Sequence, residues 1–129
     1  MLIVDYKSGT PIWEQVYNGV LRLAALGILK PGEQLPSVRS VAADAGVNPN
    51  TVQKAYAALE RDGAIYSVPG RGSFLSEQNA LLDGRRKRAL EALQTAARDA
   101  ADAGMPFSEA VEAVRTQYEE EVGKGESER

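Results

Sequence analysis

Between Leu35 and Gly63 the chain is punctuated so closely that only two short helices fit. Pro36 disfavours helix at Leu35, and Ser37 is a side chain that caps helix starts. A helix is predicted over 38–45, with Val38, Val41, Ala42 and Ala45 on one face; Gly46 ends it. Asn48-Pro49 then supplies a second cap and a first-turn proline, where a missing N–H costs least. The helix that follows carries Val52, Ala55, Tyr56 and Leu59 as its apolar stripe and stops at Asp62-Gly63. Two short helices joined across Gly46-Val47 form the pattern of a helix-turn-helix.

The flanking segments extend that pattern. Upstream, Thr10 is placed to cap a helix of about 11–26 that begins at Pro11, buries Ile12, Val16, Val20, Leu23 and Ala24, and ends at Gly27. Lys30-Pro31-Gly32-Glu33 reads as a turn. Downstream, Ala64-Ile65-Tyr66-Ser67-Val68 is strand-like, Pro69-Gly70-Arg71-Gly72 is a turn, and Ser73-Phe74-Leu75 is a second strand. A hairpin placed straight after the helix pair is a wing. Residues 1–76 are therefore expected to form a winged helix-turn-helix domain.

Past residue 76 the composition changes. Ala, Leu, Arg and Glu dominate a long helix over 79–103, with Leu82, Ala89, Leu93, Ala96, Ala97 and Ala100 on one face. Gly104-Met105-Pro106 breaks it, and a last helix is expected over 108–122, capped by Ser108, with Phe107, Val111, Val114 and Tyr118 on one side. Gly123 to Arg129 is polar and is expected to fray. The fold class is thus mostly α with a small β wing: an N-terminal winged helix-turn-helix, then a two-helix region over 77–129. Two helices alone bury both apolar stripes poorly, so these faces suit a second copy. The expected dimer interface is Leu82, Ala89, Leu93, Ala97, Phe107, Val111, Val114 and Tyr118.

The 129 residues contain no cysteine and no histidine, which removes disulfides, thiolate metal sites, the commonest metal ligand and the commonest general base. No nucleophile-base pair or phosphate loop is visible, so neither an enzyme, a metal nor a cofactor is expected. The first residues lack the basic start and long apolar core of a signal peptide, and no run spans a membrane; a cytoplasmic location is expected. The net charge of −3 is unevenly spread. Residues 1–76 balance at +1, whereas residues 77–129 sum to −4. A balance of +1 is a faint basic footprint, and it keeps open an alternative in which the winged helix binds protein rather than DNA.

The helix over 49–61 must turn its other face outward, and that face carries Asn50, Gln53, Lys54 and Ala57. Asn and Gln pair with adenine in the major groove, Thr51 offers a hydroxyl or a methyl, and the N–H groups of a helix start favour phosphate. Arg39 is placed to reach the DNA backbone or a guanine edge. Arg71, between two glycines at the wing tip, suits a phosphate or minor-groove contact. The candidate DNA-binding set is Ser37, Arg39, Asn48, Pro49, Asn50, Thr51, Gln53, Lys54, Gly70, Arg71 and Gly72. Each has a blander reading: Ser37 and Asn48 as caps, Gln53 and Lys54 as a solvated face, Gly70-Arg71-Gly72 as a plain turn. Arg85-Arg86-Lys87-Arg88 reads as a solvated stretch of a long helix, and Trp13 and Tyr17 as packing residues.

The stretches Leu29–Arg39, Asp44–Val52, Leu59–Gly63 and Gly70–Leu75 together resemble the GntR family of bacterial regulators, over about residues 10–76. The resemblance implies a winged helix-turn-helix that works as a dimer on palindromic operator DNA, usually as a repressor. Arg39, Asn48, Asn50, Thr51, Gly70 and Gly72 match the family's DNA-contacting positions. Some members have arginine where Pro49 and Gln53 stand, so those two rest on the residue reading alone. The Asn48-Pro49-Asn50-Thr51 form, followed by a short tail, resembles the YtrA-like subfamily, in which two C-terminal helices dimerise the protein.

Overall fold

The computed structural model describes residue 2 and residues 4–127. Its contacts divide into two compact units, Met1–Leu82 and Asp83–Arg129.

The first unit holds α1 (Ile12–Ala25), α2 (Val38–Ala45), α3 (Pro49–Arg61), β1 (Ile65–Val68) and β2 (Gly72–Leu75). The helix limits follow the local capping chemistry. Ser37 Oγ accepts from the Ser40 N–H, and Asn48 Oδ1 accepts from the Asn50 N–H, so α2 and α3 each begin on a satisfied donor. Gly46 closes α2 in the left-handed conformation, φ 69°, which costs glycine nothing sterically. At α1 the expected cap is corrected. Pro11, with ψ 145°, occupies the cap position without any side-chain bond, and its carbonyl accepts from Glu14 N and Gln15 N. Thr10 contributes its carbonyl instead, to Gln15 Nε2.

The core of this unit is one cluster. Val16, Val20 and Leu21 of α1, Val41 and Ala42 of α2, and Val52, Ala55, Tyr56 and Leu59 of α3 meet Leu29, Leu35, Ala64, Ile65 and Leu75. All four stripe residues expected of α3 are buried. In α1, Leu21 is buried, while Ile12, Leu23 and Ala24 are only half-buried. β1 and β2 pair antiparallel from Ile65 opposite Leu75 to Val68 opposite Gly72. The segment read as a turn also joins this sheet: Gly32 N donates to Leu75 O, Leu75 N to Glu33 O and Leu35 N to Ser73 O. Its Gln34 bridges Phe74, so the wing is anchored by a third, very short strand-like edge. Leu81 and Leu82, in the first turn of α4 (Ala80–Asp102), pack against the core, which carries the unit past the expected limit at residue 76.

Tyr56 is the polar member of the core. Its O–H donates to Pro36 O at 2.7 Å, and burial pushes its pKa up to about 12. Tyr56→Phe should cost about 1 kcal/mol at neutral pH, the net worth of one hydrogen bond. The unfolded tyrosine ionises near pH 10 and the folded one higher. From pH 10 upward the native state holds a proton that the unfolded chain releases, so this contribution falls as pH rises. Urea melts should therefore show the gap between wild type and variant shrinking through the alkaline range. A constant gap would mean that Tyr56 ionises freely in the folded protein.

The second unit is the remainder of α4, a turn with Gly104 at φ 82°, and α5 (Phe107–Ser127). Met105 N donates to Ala100 O and Gly104 N to Ala101 O, which closes α4. Two expectations are corrected here. Pro106, not Ser108, opens α5, its carbonyl accepting from Glu109 N and Ala110 N. The helix also runs past residue 122 to Ser127 rather than stopping at Gly123, although Gly123 and Gly125 each cost about 1 kcal/mol against alanine. The last residues of the expected frayed end, 128 and 129, lie outside the described residues.

Leu90, Leu93, Phe107, Val114 and Tyr118 are exposed on these helices, Phe107 at 84% and Tyr118 at 66%. Between α4 and α5 lie a cavity of about 390 Å³ lined by Leu93, Ala97, Phe107, Val111 and Val114 among others, and one of about 500 Å³ lined by Ala89, Leu90, Leu93 and Tyr118 with Asp83, Arg86 and Lys87. Leu82 stands apart from the other expected interface residues, because it is partly buried against the first unit's core.

Candidate nucleic-acid interface

α3 is pinned from one side only. Its apolar stripe faces α1, α2 and β1, and Asn50, Gln53, Lys54 and Ala57 are all exposed on the opposite side. Pro49 and Asn48, at its start, are exposed as well, and Thr51 is half-buried. Ser37 and Asn48 are caps, as the blander reading had it. Capping uses only the side-chain oxygen of Asn48. The Asn50 side chain makes no hydrogen bond among the described residues. The helix start thus presents amide groups, which recognise base edges, beside backbone N–H groups, which recognise phosphate.

The wing supplies a second element. The hairpin tip is Pro69-Gly70-Arg71-Gly72, with Arg71 N donating to Val68 O at 2.9 Å. Arg71 is exposed, as is Arg39 in the first turn of α2. Neither guanidinium is held in an ion pair among the described residues, so both charges are available to a phosphate. A groove of about 380 Å³ runs between the wing tip and the start of α2. Gly70, Arg71 and Gly72 line one side, and Pro36, Ser37 and Val38 line the other. The structure therefore brings Ser37 and the wing glycines to one surface.

Lys54 is placed differently from Asn50 and Gln53. Its Nζ lies 4.9 Å from the ring centroid of Trp13, a cation–π contact between α3 and α1. Trp13 in turn meets Tyr17 edge-on at 6.3 Å. Tyr17 O–H donates to Asp62 Oδ2 at 2.6 Å, and this bond, helped by Arg61, holds the Asp62 carboxyl below its usual pKa. Trp13 and Tyr17 are packing residues, as expected.

Three contributors carried no signal in the sequence. Tyr6 O–H donates to Gly46 O at 2.6 Å, tying the N-terminal segment to the turn between α2 and α3. Gln15 holds the same segment by bonding both the N–H and the carbonyl of Asp5. Gln34 Nε2 donates to Arg71 O at 2.7 Å. Each joins residues ten or more positions apart, beyond the reach of capping rules or periodicity. Arg85, Arg86, Lys87 and Arg88 are all exposed on α4, in the second unit.

Comparison with known proteins is consistent with this geometry. Residues 13–75 match the family described as "Bacterial regulatory proteins, gntR family". The chain is 43% identical over 107 residues to the HTH-type transcriptional repressor YtrA of Bacillus subtilis, covering 81% of this chain and 82% of that one. A GntR family transcriptional regulator from Listeria monocytogenes superposes with a TM-score of 0.67 at 27% identity, over 86% of this chain and 98% of that one. The DNA-binding domain of AraR, solved in complex with operator ORX1, superposes with a TM-score of 0.53 at 26% identity, over 57% of this chain and 94% of that one.

Proposed function

The chain belongs to the gntR family of bacterial regulatory proteins, in its YtrA-like branch, and from that premise we propose that it represses transcription as a homodimer bound to a palindromic operator. The observation that carries the reading is α3, whose start and outer face are polar and exposed while its other face is locked into the core. In a two-fold dimer the two copies of α3 enter successive major grooves about 34 Å apart, and the wings reach flanking backbone. Asn50 and Gln53 read base edges; Asn48, Thr51, Ser37 and Arg39 anchor the helix pair. A dimer seated on a promoter excludes polymerase. AraR, a structural neighbour, was solved on its operator, which supports the same use of the fold here. The apolar faces of α4 and α5 supply the second-copy contact. No helix among the described residues is long and apolar enough to cross a membrane, and the proposed site of action is the cytoplasm, where the DNA is.

Selection of bound sequences from a random duplex library tests the reading directly. The expected result is an inverted repeat whose half-sites lie one helical turn apart. Recovery of no DNA, with retention on random duplex insensitive to salt, would favour the protein-binding alternative that the near-neutral charge of residues 1–76 keeps open.

Arg71→Ala gives a second expected result. A phosphate contact carries no sequence information, so the variant should bind operator and unrelated duplex more weakly by the same factor. Each lost contact removes about 0.9 from the slope of log affinity against log salt, or about 2 for the dimer. Gel shifts across a salt series measure both. Unchanged affinity with an unchanged slope would remove the wing from the interface.

A further inference from the structure

We propose that Gln34 is the positioning residue of the wing, fixing the backbone at Arg71 so that the guanidinium meets DNA from a restricted set of directions; this rests on the reading of Arg71 as a DNA contact. Three observations carry it. The Gln34 side-chain amide donates to the Arg71 carbonyl at 2.7 Å, across 37 residues of sequence. The approach is so close that a Cβ on Gly72 would lie 2.6 Å from Gln34 Nε2; a glycine, at φ 119°, is what admits the contact. The backbone around Gln34 is itself fixed to the wing, by the bridge to Phe74 and the Leu35 N to Ser73 O bond, so the amide springs from a rigid base.

The need for such a clasp follows from the tip's own chemistry. Arg71 lies between two glycines, which have the freest backbones of any residue. Among the described residues its backbone is otherwise restrained in the tip by the Arg71 N to Val68 O bond and by the β1–β2 pairing that ends at Gly72. A freely moving tip would have to be ordered at the moment of DNA binding, and ordering one flexible side chain costs affinity. Gln34 makes that restriction part of the folded state. It lines the groove between wing and α2 but acts through Arg71.

A double-substitution cycle on the full chain tests this, with a random-sequence duplex as probe because the contact is to phosphate. Gln34→Leu keeps the side chain's size and removes its donor; Gln34→Ala is the second variant. Each should weaken binding by about two- to tenfold per protomer, the size of one side-chain ordering cost. In an Arg71→Ala background neither should weaken it further. The amide resonances of Gly70 and Gly72 should shift, while the melting temperature, set by a core that Gln34 does not enter, should hold. Equal losses in both backgrounds, or a Gln34 variant that binds as wild type while Arg71→Ala is weakened, would overturn the positioning role and leave the wing reading intact. An Arg71→Ala protein that binds normally would sink the wing reading and this proposal with it.

Discussion

Glutamate at both Leu93 and Val114 will leave the protein folded, monomeric and about 10³-fold or more weaker on its operator, approaching its affinity for unrelated DNA. Both side chains are already open in a single chain, at 46% and 40% exposure, so charges there cost the lone protomer little. Both also line the cavity of about 390 Å³ between α4 and α5, beside Phe107 and Val111. In a dimer that covers this face, four buried and unpaired carboxylates would each carry a desolvation cost of several kcal/mol. Association therefore fails while the fold survives. A monomer holds one half-site at a time, and most of the advantage of the palindrome is lost. Sedimentation equilibrium reads the mass, thermal melts the fold, and gel shifts the affinity. A double variant that remains dimeric would show that the two copies meet elsewhere, and a monomeric wild type would remove the homodimer altogether.

The parts of this fold that were legible in the sequence are those whose cause is local. Ser37, Gly46, Asn48-Pro49 and Gly63 set the limits of α2 and α3 through bonds to residues two to four positions away, and spacing alone disclosed which face of α3 is buried. The outward set of Asn50, Gln53, Lys54 and Ala57 follows by exclusion, and all four are exposed. What stayed hidden depends on tertiary approach. Tyr6 reaching Gly46 and Gln34 reaching Arg71 are ordinary polar residues until the chain folds. The pairing of 32–35 with β2 begins inside the segment 30–33 that reads as a turn, because Gly32 and Pro31 dominate its composition. Lys54 carries the same signal as Gln53, yet a ring from α1 draws its ammonium aside. Leu82 fits the stripe of a long helix, but it packs against the first unit's core, while the rest of that stripe lies in the second unit.

Asn50→Ala should cut preference for the operator by about 30-fold or more while leaving the fold and the affinity for random DNA nearly unchanged. The position is chosen over Asn48 for a physical reason. Asn48 Oδ1 caps α3, so its loss would mix a stability cost of about 1 kcal/mol with any lost contact. The Asn50 side chain is exposed and bonds nothing in the protein among the described residues, so truncation removes only what it gives to DNA. One good bidentate base contact is worth about 1–3 kcal/mol of discrimination. A two-fold dimer carries the substitution twice, which makes the expected loss about 2–6 kcal/mol, or roughly 30-fold to 10⁴-fold in operator affinity. The salt slope should not move, because no phosphate contact is touched, in direct contrast to Arg71→Ala. Parallel titrations against the selected operator and a scrambled duplex separate the two cases. Equal weakening on both duplexes would mean that Asn50 touches backbone rather than base, and normal operator binding would mean that α3 enters the groove by some other face.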